Sequence, residues 1–232
     1  MQTMIEVRGV GKTFTLHQQG GVQLPVLDDV NFDVAAGECL VLHAPSGAGK
    51  STLLRTLYAN YLLQSGSVRL RHHGQWLALA GASAQQILAL RRDTVGFVSQ
   101  FLRVIPRIPA LDVVAEPLVA QGLDAALARE RAADWLARLH LPQRLWHLPP
   151  ATFSGGEQQR VNIARSLIAE LPILLLDEPT ASLDTANRAI VIDLMLAARG
   201  RGAAMVGIFH DPEVREALAS RVYSLNAVEA LA

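Results

Sequence analysis

Three kinds of hydrophobic pattern follow one another along the chain. Residues 4–16 and 26–35 hold short runs, such as Val30, Phe32 and Val34, that alternate with polar positions, the period-two signature of half-buried strands. Val68–Leu70 and Trp76–Leu79 flank His73-Gly74, which predicts a hairpin turn. Together these segments predict an antiparallel lobe, a β arm at the surface. Four other runs are continuously apolar: Cys39–Leu42, Val95–Val98, Ile173–Leu176 and Ala203–Phe209. Such runs are typical of parallel strands covered on both faces, and helical stretches lie between them, so an open α/β sheet is expected. Residues 101–152 read as mostly helical, with Leu127, Trp135, Leu136 and Leu139 at roughly helical spacing until Pro149-Pro150 breaks the pattern. The expectation is one domain over residues 1–232, with a core from 1–100 and 153–232 and a helical lobe, 101–152, inserted into it.

Composition narrows the function classes. The 232 residues are 50% hydrophobic, enough to bury a sizeable core. Lys plus Arg number 21 and Asp plus Glu number 21, so charge cancels and no global field draws in nucleic acid. A single cysteine, Cys39, builds neither a disulfide framework nor a cysteine zinc cluster. No window reaches the roughly 18 apolar residues of a membrane span, and MQTMIEVRGV lacks the apolar stretch of a leader. The expectation is a cytoplasmic chain with no direct membrane insertion.

The first chemistry follows Cys39–Leu42, where His43 leads into Ala44-Pro45-Ser46-Gly47-Ala48-Gly49-Lys50-Ser51-Thr52 and an amphipathic stretch with Leu53, Leu54 and Leu57. A strand, a glycine-rich turn and a helix opening at Lys50 aim free backbone N–H groups and the positive helix end at one anion, a phosphate cradle. Lys50 is expected to reach the β- and γ-phosphates of a nucleotide, Ser51 to ligate Mg²⁺ and Thr52 to touch the α-phosphate. Ala44 stands where the strict pattern has glycine, which would cost about 1 kcal/mol if that position needed a positive φ.

In open α/β sheets ligands bind beyond the carboxyl ends of the strands, and the residues after each apolar run are polar. Ser99 and Gln100 follow Val98, Asp177 and Glu178 follow Leu176, and His210 follows Phe209. Asp177 suits a carboxylate that holds Mg²⁺ through water, and Glu178 suits the base that deprotonates an attacking water. Gln100 could contact metal and water, and His210 the γ-phosphate. Farther along, Phe153-Ser154-Gly155-Gly156-Glu157-Gln158-Gln159-Arg160 opens another helix. Ser154 and Glu157 form an S-x-x-E capping box, and the paired glycines also leave bare backbone for a foreign phosphate.

The order Gly47 to Ser51, Gln100, Ser154 to Glu157, Ile173 to Glu178, Ala181-Ser182-Leu183-Asp184 and His210 resembles the ATP-binding cassette ATPases over essentially the whole chain. The resemblance implies a P-loop α/β fold, ATP and Mg²⁺ as cofactors, and a head-to-tail homodimer in the ATP state. Two ATP molecules would lie between Lys50 of one protomer and Ser154 to Gly156 of the other. It further implies that Asp184 lies in the loop joining the two sites and that Phe14, in GKTF, stacks on adenine. Glu157 departs from the family's commoner Gln, which partly offsets the helix's attraction for phosphate, and Phe153 replaces the usual Leu.

Several longer stretches resemble one branch of that family, the L subunits of the phosphonate carbon-phosphorus lyase system: LLRTLYANYL, GFVSQFLRVIPRIPALDVV, RLWHLPPATFSGGEQQRVNIARSLI, ILLLDEPTASLD and GIFHD. This implies an ATPase working with soluble lyase core subunits that form ribose 1-phosphonate 5-triphosphate from ATP and a phosphonate. The alternative is the motor of a membrane transporter of the lipoprotein- or macrolide-exporter type, suggested by the glycine-containing insertion Gln18 to Gln23. The segment 101–109, with two prolines and two arginines, has the composition of a docking surface, and Trp146 and His147 could belong to it.

Overall fold

Two sheets account for the strands of the computed structural model, which describes residues 2–16, 18, 20–100, 102 and 106–226. The antiparallel sheet has the order β2-β1-β4-β5, formed by β1 (Thr3–Leu16), β2 (Val22–Ala35), β4 (Ser65–His72) and β5 (Gln75–Ala78). β4 and β5 turn through His73 at φ 46° and Gly74 at φ 77°. Both are left-handed, as a two-residue hairpin loop matched to strand twist requires.

The parallel sheet has the order β6-β7-β8-β3-β9, from β3 (Cys39–His43), β6 (Val95–Val98), β7 (Ile173–Asp177), β8 (Ala204–Ile208) and β9 (Arg221–Ser224). Every pairing in it is parallel, so all five carboxyl ends emerge at one edge. β8 stops one residue short of the apolar run, leaving Phe209 and His210 beyond the ladder.

The continuous apolar runs divide their side chains between two cores. Leu40, Leu42, Ile173, Leu175, Ala204, Val206 and Ile208 face the antiparallel sheet, where Ile5, Val7, Val30, Phe32, Val34, Val68 and Leu70 meet them. Cys39, Val41, Leu174, Leu176 and Met205 point to the opposite core with the helices. The antiparallel β arm is therefore a packed layer of the domain rather than a free-standing projection. Helix α1 (Lys50–Leu57) is pinned in the same layer by Leu53, Leu54 and Leu57, all fully buried; each contributes on the order of 1.5–3 kcal/mol of transfer free energy.

Helix α2 (Ala84–Asp93) opens on a capping box between Ser83 and Gln86. Within 106–152 lie α3 (Ala110–Ala120) and α4 (Ala125–Arg138), the latter capped by Asp124 through the N–H groups of Ala126 and Leu127. The buried face of α4 is Ala128, Ala132 and Leu136, continued by Leu139, while Leu127 faces outward at 39% exposed. The small alanines let α3 approach closely, so the true stripe is easy to miss when only large residues are counted. The remaining helices are α5 (Gly155–Leu167), α6 (Thr185–Gly200) and α7 (Pro212–Leu218). Among the described residues no helix is long and apolar enough to cross a membrane.

Candidate active site

The loop after β3 has the geometry of an anion cradle. Gly47 and Gly49 adopt φ 82° and 88°, and a Cβ on Gly49 would sit 2.7 Å from the Val26 carbonyl. Here glycine is required by both handedness and space. Ala44 is not among the residues with positive φ, so its methyl group carries no strain. Gly49 caps α1 in the left-handed conformation without a side-chain bond, leaving the helix's first amides facing the loop. Lys50 Nζ donates to the carbonyls of Ala44 at 2.7 Å and Pro45 at 2.9 Å, so the ammonium group lies across the loop mouth. Ser46 and Ala48 complete the turn, with Ala48 N–H donating to the Pro45 carbonyl at 3.3 Å. Thr52 is in the first turn of α1.

Beside the cradle, Ser51 Oγ donates to Asp177 Oδ1 at 3.0 Å. Asp177 ends β7 and is 4% exposed. Burial pushes its carboxyl above the ordinary carboxylate range; the Ser51 bond counters this, and the neighbouring Glu178 charge adds to it. Among the described residues this buried carboxylate has a hydroxyl as its partner and no ion pair, which makes it an oxygen-rich half-site for a small hard cation. Its chemistry fits Mg²⁺ held by Ser51 and Asp177.

Glu178 leaves the strand in a left-handed conformation, φ 51°, which costs a non-glycine residue of order 1–3 kcal/mol and turns its side chain out of the sheet. Its N–H still donates to the Ile208 carbonyl at 3.1 Å, fixing it against the end of β8. Glu178 Oε1 meets His210 Nε2 at 2.8 Å, and Gln100 Nε2 donates to Glu178 Oε2 at 3.3 Å. Three strand ends thus converge on one carboxylate. The two nitrogens bracket it from different strands and hold its rotamer.

Helix α5 begins with both bonds of the capping box. Glu157 N–H donates to Ser154 Oγ at 3.4 Å, and Ser154 N–H donates to Glu157 Oε2 at 2.9 Å. The Ser154 hydroxyl also donates to that oxygen at 2.7 Å. These Ser154 bonds hold the Glu157 carboxyl below its usual range. The two glycines differ: a Cβ on Gly155 meets open space, whereas one on Gly156 would sit 3.0 Å from the Ser182 carbonyl. Gly156 therefore also lets residues 181–184 pass close to the helix start. Asp184 caps α6 by accepting the Asn187 N–H at 2.8 Å, which with the Asn187 side chain lowers its carboxyl.

Phe14 is half-buried on β1, with its ring edge-to-face with Tyr61 at 5.3 Å and Lys12 Nζ 5.2 Å from its centroid. Trp146 donates its indole N–H to the Leu141 carbonyl at 2.9 Å and packs, partly buried, against the helical core, while His147 is exposed. Of the segment 101–109, Phe101, Arg103, Val104 and Ile105 lie outside the described residues.

Two further residues hold the site together and were not singled out by motif. Gln159 and Asn162 are almost fully buried in α5. Gln159 Nε2 donates to the Pro179 carbonyl at 3.0 Å, and Asn162 Nδ2 to the Ser99 carbonyl at 2.7 Å. They tie the helix to the backbone on either side of the carboxylate cluster. The apolar pattern gave little signal: Gln159 and Asn162, at i and i+3, share the face of Ile163, opposite the face marked by Val161 and Ala164.

The ABC transporter family model matches residues 27–181. The chain belongs to the ABC transporter ATPase family. It is 38% identical over 214 residues to the lipoprotein-releasing system ATP-binding protein LolD of Novosphingobium aromaticivorans, covering 90% of each chain. It is also 38% identical over 211 residues to the macrolide export ATP-binding/permease protein MacB 1/2 of Paracoccus denitrificans, covering 91% of this chain and 30% of that one. Among solved structures, the dimeric post-hydrolysis state of the ATP-binding cassette MJ0796 bound to ADP and Pi superposes with a TM-score of 0.86 at 30% identity. That match covers 97% of this chain and 95% of the other. The cassette thus has the P-loop fold, with ATP and Mg²⁺ as its cofactors, and family membership implies ATP hydrolysis.

Proposed function

We propose that this cassette is an ATP-hydrolysing motor that closes in pairs around two ATP molecules and passes the movement to a partner assembly. The observation that carries the reading is the strand-end cluster: Glu178 held by His210 at 2.8 Å and Gln100 at 3.3 Å, beside Asp177 and Ser51 at 3.0 Å. The loop amides and Lys50 bind the phosphates, and Ser51 and Asp177 hold Mg²⁺. The cation, when bound, neutralises charge on the β- and γ-phosphates. Glu178 Oε1 or Oε2 takes a proton from the attacking water as the water oxygen bonds to the γ-phosphorus and the bond from that phosphorus to the β–γ bridging oxygen breaks, releasing ADP and phosphate, and His210 keeps that carboxylate aimed. Ser154, Gly155 and Gly156 of a second copy cover the γ-phosphate, a reading supported by the dimeric state of the MJ0796 cassette.

Replacing Glu178 by Gln removes the base and leaves the phosphate contacts, so ATP should bind, dimers accumulate and turnover fall. Wild-type turnover in that variant sinks the base assignment. Lys50→Ala should weaken ATP binding instead.

For the partner, the names of the relatives support a membrane permease of the lipoprotein-release or macrolide-export kind, and the comparisons favour this reading. A second reading, the soluble carbon-phosphorus lyase core, is favoured by one feature of this chain. A groove of about 420 Å³ is lined by Arg55, Tyr58, Asn60, Tyr61, Phe97, Asn162, Arg165 and Ser99, the residue before Gln100. All eight fall within the stretches that resemble the lyase L subunits. Tagged Glu178→Gln protein with ATP and Mg²⁺, used as bait in separated soluble and membrane fractions, decides between them. An integral membrane partner establishes the transporter motor, and soluble phosphonate-lyase subunits establish the other.

A further inference from the structure

Arg188 lies in the first turn of α6, where its N–H donates to the Asp184 carbonyl at 2.9 Å. Its side chain crosses to another element. One terminal nitrogen pairs with Asp211 Oδ2 at 2.6 Å, both side chains being 26% exposed, and the other donates to the Leu183 carbonyl at 3.3 Å. Asp211 is the residue after His210, and its other oxygen caps α7 through the Glu213 N–H at 2.9 Å. One guanidinium group therefore clamps two loops that leave different strands: residues 178–184 after β7 and 209–211 after β8. These loops carry the two members of the Glu178–His210 contact. Arg188 also lines, with Glu178, Thr180, Ala181, Phe209, His210 and Asp211, a pocket of about 360 Å³.

The pair is a poor stabiliser. Arg188 Nε is buried without a hydrogen-bond partner, and a half-buried ion pair with an unsatisfied donor gains little net free energy. What it supplies is geometry. A planar guanidinium with two outer nitrogens engaged fixes the distance and angle between its acceptors, which a lysine ammonium does not. Leu183, its carbonyl acceptor, is itself buried, so the clamp has a rigid anchor at one end and the His210 turn at the other.

We propose that Arg188 is a positioning residue for hydrolysis. It holds the 209–211 turn against the 178–184 loop so that His210 keeps the Glu178 carboxylate aimed at the water. The proposal rests on the ATPase reading above. It leaves nucleotide binding to the β3–α1 loop, which Arg188 does not touch.

The test uses the full-length chain with Arg188→Met, Arg188→Lys and Asp211→Asn, the last keeping an acceptor for the α7 cap. Steady-state Mg-ATPase rates, KM for ATP and thermal midpoints are measured, together with amide exchange over 180–184 and 209–213. A loosened catalytic carboxylate costs roughly 10- to 100-fold in rate. Arg188→Met should lower kcat by that order, leave KM and the midpoint near wild type, and speed exchange in both segments. Arg188→Lys, which keeps the charge and loses the second contact, should recover part of the rate. An unchanged kcat overturns the proposal. So does a kcat loss that tracks a fall in midpoint across all three variants, which would make the pair merely structural. A wild-type chain that binds ATP without hydrolysing it defeats the ATPase reading instead, and the exchange data then show by themselves whether the clamp exists.

Discussion

Glu157 sits where a partner's phosphate is proposed to land, and its replacement by Gln provides a quantitative test of the shared site. The Ser154 hydroxyl donates to Glu157 Oε2 at 2.7 Å. A phosphate oxygen accepting that hydroxyl instead would lie another ~2.7 Å away, within about 5 Å of the carboxylate. Two unit charges at that separation repel by about 0.8 kcal/mol in water and about 3 kcal/mol at an effective dielectric of 20. A closing interface lies between those limits. Removing the charge should therefore tighten each half-site by roughly 5- to 100-fold. Gln still accepts the Ser154 N–H, so the cap persists and the helix loses only the charge–dipole part, about 0.3–1 kcal/mol. Because Ser154 holds the Glu157 carboxyl below its usual range, mild acid does not mimic the substitution. The assay is sedimentation equilibrium with ATP and Mg²⁺, comparing Glu178→Gln with the Glu178→Gln, Glu157→Gln double variant. An unchanged or weaker dimer refutes the argument and means that Glu157 acts by orienting the serine rather than by repelling phosphate.

Other consequences are equally direct. Asp177 holds its proton more tightly in the folded chain than in the unfolded one. Its ionisation therefore subtracts from metal-free stability as pH rises past 3.8 and through the folded value. Asp177→Asn should match wild type in acid and gain on it towards neutral pH in urea titrations without Mg²⁺, while losing Mg-ATPase turnover; a pH-independent gap contradicts this. Gly49→Ala combines a positive φ with a methyl group 2.7 Å from the Val26 carbonyl, so it should lose at least 1–2 kcal/mol of stability and its nucleotide binding. Gly155→Ala meets open space and should keep both, with only ATP-driven dimerisation reduced. Burial pushes the Cys39 thiol up to about 12, so it should resist disulfide reagents until the chain unfolds.

Much of the site is legible without coordinates because its chemistry is local. A glycine-rich turn before Lys50, a capping box at Ser154 and acids directly after Leu174 to Leu176 are set by backbone handedness, helix-end amides and strand length, all spanning fewer than ten residues. The continuous runs imply a doubly covered sheet for the same reason. What no local pattern contains is the strand order β6-β7-β8-β3-β9. That order alone brings Gln100, Glu178 and His210, far apart in the chain, onto one carboxylate. The α4 stripe is hard to read because alanines carry it, and Gln159 and Asn162 form no local motif because their partners are backbone carbonyls of other elements.

The sequence by itself determined that a phosphate-binding loop is present, which groups have the chemistry to bind Mg²⁺ and move a proton, and where the helices after Gly49 and Ser154 begin. Those properties depend on the identity and spacing of neighbours. Only the tertiary structure decided that the antiparallel strands are a packed layer, that Glu178 stands in a left-handed conformation between two nitrogens, and that Arg188 clamps Leu183 to Asp211. Burial, strain and contacts across the sheet depend on which distant segments share a core.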